Sequence, residues 1–229
     1  HRMRESGVLS LGGPVDGRLY AGTNHGLYEF SADGTQMALF EHQPELPSGI
    51  GPGYVTALLA DGQNGLWLGM GGSGLQYFEA RSQTFTPFSG AGAVPDMPGG
   101  EFVTALLADR DGSVWVGSRT AGLSRCDPGS RACVPVGGLS HPHVTALHRD
   151  RADGLWVATN GGGLNQLELE SGQVVVQRAW TQTDGLLDDR LQAMVADLDD
   201  SLWLSSRQGL SRLQPATGRV ENFVPDTGL

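Results

Sequence analysis

Four glycine-rich phrases in this sequence carry side chains that could hold a small molecule. Asn24 and His25 lie in "GTNHGL", Arg119 and Thr120 in "SRTAGL", Asn160 in "TNGGGL", and Arg207 with Gln208 in "SRQGL". An Arg presents a planar fork that matches a carboxylate, and an Asn or Gln amide both donates and accepts. Between these phrases lie Tyr54, His141, His143 and Trp180. Their rings suit the apolar face of a sugar. The set therefore suits a sugar or a carboxylate-bearing solute.

Other chemistries find less support. His141 and His143 form "HPH", but two His with no third ligand nearby do not make a metal site. The turns "DLDDS" and "DRADG" lack the longer run, ending in an acidic residue, that a calcium loop needs. No glycine-rich loop joins a strand to a helix for a phosphate, and no serine sits in a nucleophile elbow. No catalytic residue, metal ligand or cofactor is expected.

The elements that position these residues follow from a repeat. Aromatic anchors stand at Tyr20, Trp67, Trp115, Trp156 and Trp203, at spacings of 47, 48, 41 and 47 residues. Twelve residues before each comes an apolar phrase opening at Val8, Val55, Val103, Val144 or Leu191. Six or seven residues after each comes a "GL" pair, with Gly26, Gly74, Gly122, Gly163 or Gly209. Each copy reads as four short strands. The first is of the "VTALLAD" kind, followed by an Asp–Gly turn, then "LWLG", then a strand such as "GLQYF", and a last one such as "VENF". Four-stranded units at about this period predict an all-β fold, a β-propeller of antiparallel blades. The blades are expected near 7–40, 54–89, 102–138, 143–180 and 190–224, in a single propeller region spanning 1–229. The Trp series is expected to wedge between neighbouring sheets, and the glycines to serve turns and close approaches.

The phrase "VTALLADRDGSVWVGSRTAGLSR" resembles the two-component-regulator propeller repeat, with its Val, Asp-Gly, Trp-Val-Gly-Thr and Gly-Leu landmarks. The resemblance extends over all five copies. The Thr of the pattern is kept at Thr23 and Thr159 and replaced at Met70, Ser118 and Ser205. It implies an extracytoplasmic ligand-sensing domain of a histidine kinase or diguanylate cyclase, and so a periplasmic location in a membrane-anchored parent chain.

Aligned on the "GL" glycine, positions four and eleven residues later are Phe30/Met37, Phe78/Phe85, Cys126/Cys133, Leu167/Val174 and Leu213/Val220. Four copies thus read as apolar pairs across the last hairpin. In the third the pair is two cysteines, and facing strand positions come close enough for a disulfide. A Cys126–Cys133 bond is expected, with the oxidising compartment it implies. No signal peptide is visible, which leaves a cytosolic chain or a trimmed export product.

The formal net charge of −10 argues against nucleic acid and anionic lipid as partners. The closing "PDTGL" matches the "TDGL" that leads into the fifth copy, so a larger propeller of six to eight blades is expected, the alternative being a closed five-bladed ring. Exposed end blades would favour a homodimer. The expected function is a sensor that binds a small solute, such as an oligosaccharide or carboxylate, through Asn24, His25, Tyr54, Arg119, Thr120, His143, Asn160, Arg207 and Gln208. The alternatives are a metal-dependent enzyme resembling streptogramin lyases, with His25, His141 or His143 as base, and a protein-docking platform.

Overall fold

The computed structural model describes residues 7–88, 102–170 and 173–224. The "HRMRES" and "PDTGL" segments, and residue 89 of the expected second blade, lie outside them. Alternating apolar patterning and frequent Gly and Asp turns produce short strands. The first blade holds β1 (Val8–Val15), β2 (Arg18–Thr23), β3 (Gly26–Phe30) and β4 (Gln36–Phe40). The second holds β5 (Tyr54–Ala60), β6 (Gly65–Gly71), β7 (Gly74–Glu79) and β8 (Thr84–Pro87). The third holds β9 (Val103–Ala108), β10 (Val114–Ser118), β11 (Leu123–Asp127) and β12 (Ala132–Val136). The fourth holds β13 (Val144–Arg149), β14 (Leu155–Thr159), β15 (Leu164–Glu170) and β16 (Gln173–Trp180). The fifth holds β17 (Ala193–Ala196), β18 (Leu202–Ser206), β19 (Gly209–Gln214) and β20 (Arg219–Phe223). Each blade is a four-stranded sheet with its strands in sequence order, the pairs antiparallel. One 3-10 turn, Gln182–Asp184, is the only helical element among the described residues.

The chain divides into two compact units, His1–Val116 with Ser124–Val134, and Gly117–Leu123 with Pro135–Leu229. In the first, Tyr20 and Leu27 pack against Leu66, Leu68 and Phe78 of the second blade. Trp67 packs against Val103, Val114, Val116 and the two cysteines of the third. In the second unit, Trp156 and Trp180 pack against Leu191, Leu202, Leu204 and Leu213. Tyr20, Trp67 and Trp156 therefore bury themselves against the next blade's sheet, at roughly 1.5–3 kcal/mol per large apolar side chain.

Two details tie blade to blade within the first unit. The register of β5 on β6 slips between Val55 and Ala57. The slip places Thr56 Oγ1 2.9 Å from the Gly69 carbonyl and 2.6 Å from that of Val103, in the next blade. At Gly69 a Cβ would lie 2.5 Å from Val103 Cγ1, so the glycine within "LWLG" serves close approach between sheets.

Cys126 and Cys133 are joined by a disulfide. The apolar hairpin pairing holds for Phe78↔Phe85 and Leu213↔Val220. It does not hold in the first and fourth blades. There an extra residue in β4 sets Phe30 opposite Gln36, and Leu167 lies opposite Val176, two residues from the expected partner, because β15 and β16 stay paired as far as Glu170↔Gln173. In the fifth blade the first strand starts at Ala193, while Leu191 is buried ahead of it.

Candidate functional site

The turn from second to third strand carries most of the nominated residues. A hydroxyl at the end of the second strand shapes it. Thr23 Oγ1 donates to the Gly26 carbonyl and accepts from His25 N–H. Thr159 Oγ1 donates to the Gly163 carbonyl and accepts from Gly162 N–H. Ser118 Oγ accepts from Ala121 N–H. In the fifth blade Ser206, rather than Ser205, takes this role, donating to the Gly209 carbonyl at 3.2 Å. Ser206 stands three residues after its anchor Trp203, the same offset as Thr23, Ser118 and Thr159 from theirs. Gly163 is obligatory, with φ +70° and a position where a Cβ would lie 2.0 Å from the Trp180 carbonyl.

In the first unit, Asn24, His25 and Tyr54 line one pocket of about 450 Å³ with Glu41, His42, Ile50 and Gly51. The residues come from the first blade's turn and from the linker into the second. His25 Nδ1 lies 3.0 Å from Asn24 Oδ1. His42 Nδ1 donates to the Ile50 carbonyl at 2.8 Å, which anchors the linker. Tyr54 is 48% exposed, so its ring is available at the pocket's rim.

In the second unit the nominated residues gather around two linkers. His143 N–H donates to His141 Nδ1 at 3.1 Å, which leaves the His141 proton on Nε2. Asn160 N–H donates to the His143 carbonyl at 2.8 Å. Burial holds His143 below the usual imidazole pKa, and Arg119 and His141 push it the same way. It is therefore neutral at pH 7. Gln208 Nε2 reaches Asp188 Oδ2 at 3.5 Å. Arg207 is exposed on the same turn. Trp180 is not a linker residue but the end of β16. It is 3% exposed, between Trp156 at 5.2 Å and the Arg178 guanidinium at 4.3 Å, so it belongs to the core. His148 lies in β13 opposite Trp156 and is partly buried, which lowers its pKa.

The family model of the two component regulator propeller matches residues 97–120 and 138–161, the copies anchored by Trp115 and Trp156. These two stretches are two-component-regulator propeller repeats. No curated protein matches it by sequence. Among solved structures, the extracellular domain assigned to hybrid two component system BT3049 of B. thetaiotaomicron is 18% identical at TM-score 0.78. That match covers 95% of this chain and 30% of the other. A catalytically inactive virginiamycin B lyase from Staphylococcus aureus, with quinupristin, is 13% identical at TM-score 0.73, over 97% and 71%. The Cps50 (Swd1) β-propeller domain of Myceliophteria thermophila is 11% identical at TM-score 0.72, over 98% and 75%. At these identities the likeness is one of fold. The chain spans about a third of the BT3049 chain.

Two positions of the propeller repeat organise the site without standing out by residue type. Two residues after the "GL" glycine, a buried polar side chain holds the incoming linker. Gln76 Oε1 accepts from Gly51 N–H at 3.1 Å. Asn165 accepts from Ser140 N–H at 3.0 Å and donates to Ser140 Oγ at 2.8 Å. Ser211 Oγ accepts from Leu187 N–H at 3.0 Å. These bonds fix the linker that leads to Tyr54 at the start of β5 and the linkers that carry His141, His143 and Asp188. The signal was a polar residue recurring in an otherwise apolar register.

The second position belongs to the opposite face, where the Asp–Gly turns lie. An Asp six residues before the anchor clasps the indole. Trp115 Nε1 donates to Asp109 at 2.9 Å, Trp156 Nε1 to Asp150 at 2.7 Å, and Trp203 Nε1 to Asp197 at 3.1 Å. Three residues after the "GL" glycine, Arg125 and Arg212 each lie over the ring of their blade's Trp. Both pair with the same Asp, at 3.2 Å and 3.1 Å. Asp188, 3% exposed and outside every repeat landmark, is a further buried carboxylate. The Arg190 backbone N–H, and then its guanidinium, hold its pKa below the usual range.

Proposed function

We propose that this propeller is the ligand-binding module of an extracytoplasmic sensor in a bacterial signal-transduction protein. In that reading it takes a small solute, an oligosaccharide or a carboxylate, and passes occupancy to a kinase or cyclase of a membrane-anchored parent. The observation that carries the reading is the pocket in the first unit. Residues 24, 25 and 54, nominated separately for their chemistry, line one concavity of about 450 Å³, within the usual range for small-molecule sites. Its groups are an amide, imidazoles, a carboxylate and a phenol, which suits hydroxylated ligands. The disulfide supports an exported location. The repeat class and the fold shared with an extracellular domain of a two-component system support the sensor assignment. The lyase reading needs acidic and His side chains to converge. Among the described residues no group of three or more His, Cys, Asp or Glu could hold a metal ion.

The test is a thermal-shift screen against oligosaccharides, organic acids and amino acids, with and without magnesium. A ligand at a hundred times its Kd adds about 2.7 kcal/mol, or roughly 5–10 °C for a domain of this size. The expected result is saturable stabilisation by one chemical class, reduced by His25→Ala or Tyr54→Ala. Folded protein that no compound stabilises would overturn the small-solute reading and leave a protein partner.

A further inference from the structure

The second blade breaks the clasp described above. Its Asp61 stands six residues before Trp67, as in the three later copies. Yet the hydroxyl of Tyr77 donates to Asp61 Oδ2 at 2.6 Å. Tyr77 occupies the position that is Arg in the third and fifth blades. Asp61 Oδ1 accepts from Gln63 N–H at 2.7 Å and Gly65 N–H at 3.1 Å. Unlike its counterparts, the Trp67 indole N–H makes no hydrogen bond to this carboxylate or to another acceptor among the described residues. Trp67 is only 6% exposed, and its indole N–H is not among the fully buried polar atoms, so the donor opens to solvent.

That side chain lines a cleft of about 410 Å³ between the second and third blades, within the first unit. Tyr77 at 4.9 Å and Phe88 at 5.3 Å pack on Trp67, giving three aromatic rings in one wall. The facing wall is the β11–β12 hairpin, which contributes Pro128 and Arg131. This hairpin is preorganised twice over. The disulfide closes it, and Asp127 accepts from Gly129 N–H, Ser130 N–H and Ser130 Oγ–H. Arg131 forms no ion pair among the described residues, although the chain carries 25 acidic side chains.

The polar groups lining the cleft include two that only donate, the Trp67 indole and the Arg131 guanidinium, whose planar fork fits a carboxylate. The Gln63 amide and the Thr86 hydroxyl each donate and accept, and Asp61 already accepts three hydrogen bonds. A flat ring bearing a carboxylate matches the donors and the rings together. We propose that this cleft binds a small aryl carboxylate, with its ring against Phe88 and Tyr77 and its carboxylate on Arg131 and the Trp67 indole N–H. The site lies on the face of the Asp–Gly turns, opposite to the pocket of Asn24, His25 and Tyr54. It goes beyond the sensor function proposed above and is independent of it.

The experiment follows the five Trp indole N–H signals by nitrogen–proton correlation in 15N-labelled protein. Trp67→Phe identifies the Trp67 signal. The probes are benzoate, phenylacetate, 4-hydroxybenzoate, cyclohexanecarboxylate, benzamide and a methyl hexoside. The aryl carboxylates are expected to shift the Trp67 signal saturably. Cyclohexanecarboxylate should bind about three- to tenfold more weakly, the value of an aromatic pair. Arg131→Ala should weaken the acids roughly tenfold and leave benzamide unchanged. Arg131 is exposed, so this variant retains the fold, and Gln63→Ala is an equally safe second test. Three outcomes overturn the proposal: no saturable Trp67 shift with any aryl acid, equal affinity for hexoside and acid, or binding that survives Arg131→Ala. Binding lost on Tyr54→Ala but not on Arg131→Ala would place the ligand in the opposite pocket. That outcome would sink this proposal while sparing the sensor reading.

Discussion

Replacing Asp150 by Ala isolates what the Asp–Trp clasp contributes. Asp150 Oδ2 accepts from Trp156 Nε1 at 2.7 Å, and Oδ1 accepts from Gly154 N–H at 2.7 Å. Trp156 is fully buried, so water has little access to the indole once the carboxylate is gone. A buried donor left unmatched costs about 1–3 kcal/mol, and loss of the turn bond adds about 0.5–1.5 kcal/mol. The expected destabilisation is about 2–4 kcal/mol. For a domain of this size that lowers Tm by roughly 5–15 °C. Urea unfolding followed by circular dichroism measures it, with linear extrapolation to water. The indole share is separable. In a Trp156→Phe background no donor remains to be orphaned, so Asp150→Ala should cost about 1–2 kcal/mol less there. Asp61→Ala should cost less than Asp150→Ala, because Tyr77 is only partly buried and water can replace the lost acceptor. A cost for Asp150→Ala below about 0.5 kcal/mol, or an identical cost in the Trp156→Phe background, would refute the clasp as a stabilising device.

Two further predictions concern covalent and ionisable groups. Reducing the Cys126–Cys133 bond releases a short loop, for which chain entropy gives about 2–3 kcal/mol. Non-reducing mass analysis should find no free thiol and Tm should fall on reduction, whereas two titratable thiols in untreated protein would exclude the bond. Stability should also fall on acidification in two steps. His143 and His148 have folded pKa values below the usual one, so the unfolded chain takes up protons first as pH drops below about 6.5, and stability present above that pH is lost. Asp33, lowered to about 2, and Asp111, Asp127, Asp184, Asp188 and Asp197, also lowered, give a second loss below about pH 4 by the same sign. The urea midpoint between pH 8 and pH 3 tests this. A midpoint that rises between pH 7 and pH 5, or a first step untouched by His143→Gln with His148→Gln, would contradict it.

The architecture was readable because three landmarks recur at fixed distances, and a four-stranded sheet needs each of them. The Trp fills the space between sheets, the "GL" glycine reverses the chain, and the apolar phrase supplies the first strand. The disulfide was readable for the same reason, since Cys126 and Cys133 fall where other copies carry apolar partners. Hairpin register was less readable. One extra residue moved the partner of Phe30 to Gln36, a pairing that continues to Glu170↔Gln173 moved that of Leu167 to Val176, and periodicity is blind to both. Trp180 misled because a Trp ahead of a linker looks exposed, while its ring is held between Trp156 and Arg178. Asp61, Asp109, Asp150 and Asp197 read only as turn formers. Their Trp partners lie on a neighbouring strand, and a six-residue offset across a hairpin matches neither helix nor strand period. Gln76, Asn165 and Ser211 share a position but not a residue type, so no motif marks them.

These omissions share a cause that bears on where recognition lies. In a repeat, a contact made in several copies is framework, and its residues are satisfied by one another. A copy that departs from the pattern leaves a group without its usual partner. Tyr77 in place of Arg is such a departure. It neutralises the position and bonds Asp61, while Trp67 lines the cleft with no hydrogen bond to that carboxylate. The Asp61–Tyr77 bond also raises the Tyr77 pKa, after burial, so the phenol stays protonated and remains the donor in that bond throughout the range in which the protein folds. The substitution thus converts a structural clasp into an available donor without leaving an unpaired charge. Restoring the pattern by Tyr77→Arg reverses both steps at once. The guanidinium would reclaim Asp61 over the Trp67 ring, as Arg125 does with Asp109 over Trp115. A pocket built by such a departure is local to its blade, and the same change elsewhere in the propeller would create a site rather than remove one.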